Sequence, residues 1–257
     1  MGKALALLVG IKDEGLCMGA ELDADNLRRV LSPLGYRILM IKSSQAISDN
    51  ILDFLKNAAS VLESGDIFVF YFSGHGGRRL NADYELSGKD ETLYAFDRNI
   101  VGHELDDIWL KMKCGVRIVM IGDTSNFGMS YAHLRSTFRP RPFLPMSEDA
   151  ASAMKAAMIH IGGCRNTIPA VGYESGGPFT TALCNTWHNG RFNGNYSDFH
   201  EKICEKITSA HTPQYNEFGP VSEEFKNQRP FDIGFDAEEC KVCLHGQISP
   251  FIQPACP

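Results

Sequence analysis

The chain has 257 residues, 44% of them hydrophobic and 22% charged, which is enough for one substantial core and ordinary for a globular protein. A formal charge of −6, with no Lys/Arg run, argues against nucleic acid or an anionic membrane surface as the main partner. No stretch approaches the ~20 apolar residues of a membrane helix, and the apolar start, Met1 to Gly10, is too short and too lightly flanked for a secretory signal. A soluble, cytoplasmic protein is expected.

Residues 4 to 11 form a continuous apolar run, the pattern of a central parallel strand buried on both faces. Ala20, Ala24, Leu27, Leu31 and Leu34 then repeat at helical spacing until Gly35, and Tyr36 to Ile41 reads as a second strand. A second amphipathic helix is expected with Ser48 as N-cap, Asp49 in its first turn, and Ile51, Leu55, Ala58 and Leu62 on one face. Asp66 to Phe72 reads as the third strand, delivering a glycine-bounded turn with His75. Residues 78 to 102 read as a polar surface excursion, broken by Thr92 to Phe96, and 104 to 112 as a short helix.

Strands are expected again at 116 to 121 and 158 to 161, helices at about 178 to 188 and 197 to 208, and a last edge strand at Phe231 to Ile233. Between the fourth and fifth strands, the prolines and arginines of Arg135 to Pro145 exclude regular structure and predict an exposed loop, a candidate processing segment. Alternating strands and helices with short links predict an α/β fold, a doubly wound three-layer sandwich with a mostly parallel sheet of about six strands. One domain over residues 1–235 is expected, followed by a Cys- and Pro-containing tail over 236–257.

Cys17, Cys114, Cys164, Cys184 and Cys204 fall singly within helix and strand patterns, as reduced core cysteines do. In the tail, Cys240, Cys243, His245 and Cys256 offer zinc-type ligands at a spacing that matches no common zinc module, so no metal site is assigned.

Two stretches carry chemistry. Tyr71-Phe-Ser73-Gly-His75-Gly76-Gly77 follows one apolar run, and Gly122-Asp123-Thr-Ser125-Asn126-Phe-Gly128 follows another, with His75 fifty positions before Ser125. Each ends a strand pattern at a small turn bearing one reactive side chain, which is how a parallel sheet presents functional groups at the carboxyl ends of adjacent strands. That interval separates general base and nucleophile in caspases. With Gly163-Cys-Arg165, Gly176-Gly-Pro-Phe-Thr180 and the Gln-Arg-Pro-Phe block at 228–231, the ordered set resembles the caspase-like cysteine peptidases, nearest the metacaspase and orthocaspase branch. The resemblance covers residues 4 to about 234.

In that family the second motif normally carries Cys where this chain has Ser125. We read Ser125 as an inactivating replacement of a cysteine, with a natural pseudo-protease that binds a peptide or protein as the alternative. A serine hydrolase is the third and remote reading. The resemblance implies His75 as general base, position 125 as nucleophile, and the backbone N–H groups of Gly76 and Ser125 as the oxyanion hole. It also implies Asp23, Ser73 and Asp123 as the wall of an acidic pocket selecting Arg or Lys at P1, with a protein or peptide as substrate and a regulatory protein as a further candidate partner.

Asp123 lies two residues before Ser125, so strand alternation assigns both positions to one face. Asp90, Glu91, Asp97, Glu104, Asp106 and Asp107 cluster where metacaspases hold an activating calcium ion. The family's further acidic ligand is missing from Met129 to Ala132, so no cofactor is expected and the cluster reads as a solvated acidic face.

Overall fold

The chain runs through β1 (Ala4–Gly10), α1 (Ala20–Leu31), β2 (Arg37–Lys42), α2 (Ser48–Val61), β3 (Ile67–Leu80), β4 (Lys89–Tyr94), β5 (Asn99–Val101) and α3 (Gly102–Trp109). It continues through β6 (Arg117–Asn126), α4 (Glu148–Ala153), β7 (Ala157–Arg165), α5 (Pro178–Trp187), α6 (Tyr196–Glu205), β8 (Gln214–Phe218) and α7 (Glu223–Asn227). This is a computed structural model, and it describes residues 2–12, 17–80, 89–126, 145–165, 176–207 and 213–234. The Arg135 loop up to residue 144 and the Cys240, Cys243, His245 and Cys256 set lie outside the described residues.

The apolar runs become the sheet, in the order β2-β1-β3-β6-β7-β8. The first five of these are parallel, and β8 closes the sheet antiparallel to β7. One face carries α2, α3 and α4, whose Leu55, Ile108, Trp109 and Ala150 pack with Phe68, Phe70, Phe72 and Met120. The other carries α1, α5 and α6, whose Leu27, Leu183, Trp187 and Phe199 pack with Leu8, Val69, Ile121 and Ile159. Because strand residues alternate between faces, each central strand fills both cores at once, which is why its sequence is apolar without interruption. The expected α/β sandwich is therefore the observed one.

Several local expectations are corrected. β3 and β6 do not end at their glycines: β3 runs on to Leu80 by pairing antiparallel with β4, and β6 reaches Asn126 beside it. His75 and Ser125 thus stand on strands, not in turns. Ser48 is not the N-cap of α2 but its first residue; its N–H and hydroxyl donate to the Asp97 carboxylate at 2.6 and 2.9 Å, a cap supplied from 49 positions away. These bonds to the ionised form hold the Asp97 carboxyl below its ordinary value.

Among the described residues the last strand is Gln214–Phe218, and 231–233 is not a strand. Phe231 has φ of 65° and is buried against Trp187 and Phe199. Its carbonyl accepts from the Tyr36 hydroxyl at 2.9 Å, and its N–H donates to the Tyr196 hydroxyl at 3.0 Å. The buried Arg117 guanidinium adds bonds to Gln228 Oε1 and the Asp232 carbonyl, so residues 228–232 are stitched under the start of β6. Cys17, Cys184 and Cys204 are free thiols as expected, whereas Cys114 is disulfide-bonded.

His160 on β7 is fully buried. Its Nδ1 lies 3.4 Å from the Asn216 amide nitrogen, while Nε2 has no hydrogen-bond partner among the described residues. The ring covers Gly162, where a Cβ would come within 2.8 Å of Cε1. Burial drives the imidazole pKa from 6.5 down to about 3. The folded chain therefore holds His160 neutral, while the unfolded chain takes up a proton below pH 6.5. Its contribution to stability is complete above that pH and is lost progressively as pH falls from 6.5 toward 3, at up to about 1.4 kcal/mol per pH unit. Urea unfolding between pH 7 and 5 should show a steeper loss for the wild-type chain than for His160→Gln, the difference reaching about 2 kcal/mol by pH 5. Parallel profiles would show that this histidine does not set acid sensitivity.

Candidate active site

The site lies where the carboxyl ends of β1, β3 and β6 meet the amino-terminal turns of α1 and α5. Ten parallel rungs join β3 to β6, from Ile67 opposite Arg117 to Gly76 opposite Asn126. Ser73 faces Asp123 and His75 faces Ser125 on rungs of this ladder. Adjacent strands are about 4.8 Å apart, so the backbone brings position 125 into the neighbourhood of the imidazole.

His75 is half-buried, with the Cys17 Sγ 3.6 Å from Nδ1 and the Tyr94 ring centred 6.3 Å away. Gly76, the next residue, is buried between β6 and the end of β4, where it pairs with Leu93; a Cβ there would lie 3.3 Å from that of Thr124, which favours glycine beside the histidine.

Two carboxylates lie below. Asp23, in the first turn of α1, accepts from the Ser73 hydroxyl at 3.1 Å and from the Gly177 N–H at 2.6 Å. Asp123 accepts from the Thr180 hydroxyl at 2.7 Å, and Thr180 Oγ1 is 2.7 Å from the Tyr71 hydroxyl. Asp23, Ser73, Asp123, Thr180 and Tyr71 are all 0% exposed. The three residues expected to wall an acidic pocket are therefore neighbours. Hydrogen-bond donors face both buried carboxyl groups, and the amino-terminal end of α5 presents the Gly177 N–H to Asp23.

Cys17, Tyr71, Thr180 and Gly177 were given no role at the site from the sequence. Thr180 sits in the Gly-Gly-Pro-Phe-Thr stretch noted there, and a tyrosine inside an apolar strand is itself a signal, since its buried hydroxyl needs a partner. The other free thiols are remote in chemistry from a nucleophile. Burial, with Asp23 adding to it, pushes Cys184 up to about 12, and burial also raises Cys204.

The acidic cluster is largely committed to protein partners. Asp97 caps α2, Glu104 pairs through both oxygens with Arg98 at 2.8 Å, and Asp106 accepts from the Ser147 hydroxyl at 2.7 Å. Among the described residues no three acidic, His or Cys side chains are grouped as they would be to hold a metal ion.

With this geometry in view, the comparison with known proteins is decisive at the level of family. The sequence profile of the Caspase domain matches residues 3–230. The chain belongs to the caspase-domain family. A metacaspase-1 from Emericella nidulans is 31% identical over 146 residues, 49% of this chain and 36% of that protein. A metacaspase-8 from Arabidopsis thaliana is 28% identical over 139 residues, 48% of this chain and 36% of that protein. The matches thus span about a third of the length of these curated relatives. Among solved structures, the protein GSU0716 from Geobacter sulfurreducens superposes with a TM-score of 0.74 at 24% identity, covering 91% of this chain and all of that one. The structure of pro-sf-caspase-1 gives 0.50 at 15% identity, covering 85% and 92%. These two likenesses concern the fold. No described helix is long and apolar enough to cross a membrane.

Proposed function

We propose that this caspase-domain protein has the site of a cysteine endopeptidase that cleaves after Arg or Lys, held in an inactive form by Ser125. The observation that carries the reading is the rung that sets His75 opposite position 125, directly above two buried carboxylates. With cysteine at 125, His75 would take the thiol proton, and the sulfur would attack the scissile carbonyl carbon. The new C–S bond replaces the C–N bond as His75 returns the proton to the leaving amine, and water then hydrolyses the thioester. Backbone N–H groups of Gly76 and residue 125 would receive the oxyanion, each such donor being worth roughly 10²–10³ in rate in other hydrolases.

A thiol with reference pKa about 8.5 is partly ionised at neutral pH, whereas a serine hydroxyl needs a base oriented by an acid. A site shaped for sulfur is therefore nearly inert with oxygen while its binding groups stay in place. Asp23 and Asp123, both buried, would meet a cationic P1 side chain through charge-assisted hydrogen bonds, and a mismatched side chain would leave that pairing unmade. The second reading, a pseudo-protease that binds a peptide or protein without cutting it, is favoured by one observation: the residue at 125 is Ser.

The chain as it stands should show background peptidase activity, and Ser125→Cys should restore cleavage of an Arg-containing fluorogenic peptide. Adding His75→Ala should remove it by at least about 10²-fold; equal rates with and without His75 would rule out the dyad. A Ser125→Cys protein that folds and binds the peptide yet never cleaves it would favour the binding reading.

The restored enzyme should prefer Arg or Lys at P1 over neutral or acidic residues, and Asp23→Ala should reduce kcat/KM most for the basic peptides. Faster cleavage after Asp than after Arg would sink the acidic pocket. We further propose that calcium modulates the enzyme only weakly, because Asp97, Glu104 and Asp106 already serve protein partners. A reversible loss of more than about tenfold in rate on chelation, equivalent to about 1.4 kcal/mol in barrier, would contradict this.

A further inference from the structure

The start of α5 serves both carboxylates of the pocket. Gly177 gives its N–H to Asp23 Oδ1, and Thr180, one turn further, gives its hydroxyl to Asp123 Oδ2. Thr180 has a single hydroxyl proton and gives it to Asp123, so in the remaining bond the Tyr71 O–H donates to Thr180 Oγ1. Tyr71, Thr180 and Asp123 form a buried relay in which every proton points toward the carboxylate. The segment before Thr180 is shaped for the same task. Gly176 has φ of 95°, and a Cβ on it would fall 2.5 Å from Asp23 Oδ1. A side chain there would therefore displace the carboxylate that Gly177 binds.

Resting on the reading of Asp23 and Asp123 as the P1 pocket, we propose that Thr180 is a specificity-determining positioning residue. Its hydroxyl, backed by Tyr71, aims Asp123, while the Gly176–Gly177 turn aims Asp23, so that one helix start sets the selection of a cationic P1 side chain. Neither Thr180 nor Tyr71 takes part in bond making. Loss of the hydroxyl turns Asp123 away from the P1 cation and leaves the chemistry at His75 and residue 125 intact. The signature is thus a binding defect confined to basic substrates.

The test uses the Ser125→Cys protein with two peptides differing only at P1, Arg or Gln. Thr180→Val, which keeps the shape and deletes the hydroxyl, should raise KM for the Arg peptide by about tenfold or more, change kcat less than about threefold, and leave the Gln peptide within about twofold. Thr180→Ser, which restores the donor, should return KM to within about threefold of the parent. Gly176→Ala should reproduce the Val phenotype, and Tyr71→Phe, which removes only the outer donor, should show the same selective rise at about two- to fivefold. Should the Val variant fail to fold by circular dichroism, the Ser and Tyr71→Phe variants decide. Val and Ser variants that match the parent, or a Val variant that slows both peptides equally, would overturn the proposal while leaving the P1 reading intact. A parent that does not prefer Arg over Gln would overturn both.

Discussion

The parallel pairing of β3 with β6 is the constraint on which the candidate site depends. Ten rungs, buried on both faces through Phe68 to Phe72 and Ile118 to Ile121, fix which residue of one strand lies beside which of the other. A slip of one residue would send every side chain to the opposite face and strand Phe70 and Phe72 outside their core, so the apolar pattern itself forbids it. The rung shared by His75 and position 125 is a by-product of that packing. Catalytic geometry at the end of the strands is thereby set by hydrophobic contacts well below it.

Much of this was legible in the amino-acid order. Uninterrupted apolar runs marked β1, β3, β6 and β7, because a strand covered on both faces cannot alternate. The helical spacing of Ala20, Ala24, Leu27 and Leu31 marked α1, and all four are buried. What could not be read depends on partners distant in the chain. The glycines around His75 look like a turn, and only pairing with β4 keeps β3 extended to Leu80. Ser48 looks like an N-cap until Asp97 is seen to occupy that role. Phe231 to Ile233 has strand composition, yet Phe231 is claimed by an aromatic cluster and adopts a left-handed backbone.

At the site the same division holds. Asp23, Ser73, His75, Asp123 and Ser125 stood out by motif, whereas Thr180 and Tyr71, although visible in marked stretches, carried no sign of the partner each would find. Their importance arises from where they meet: one threonine side chain bonds both a buried carboxylate and a buried tyrosine hydroxyl. Such relays leave almost no trace in a single sequence because each member has an adequate structural reason to be where it is.

The stitching of residues 228–232 beneath the first residue of β6 has a bearing on how the domain can be handled and joined to others. From Arg117 to Ser125 the strand rises about 26 Å at 3.3 Å per residue, and Asp232 is bound at the Arg117 end. The last described residues therefore sit at the pole of the sheet remote from the imidazole. A label or affinity handle joined directly after Gly234 would begin at the opposite end of the strands from His75, so that position suits a tether meant to hold the domain by the end away from the candidate site.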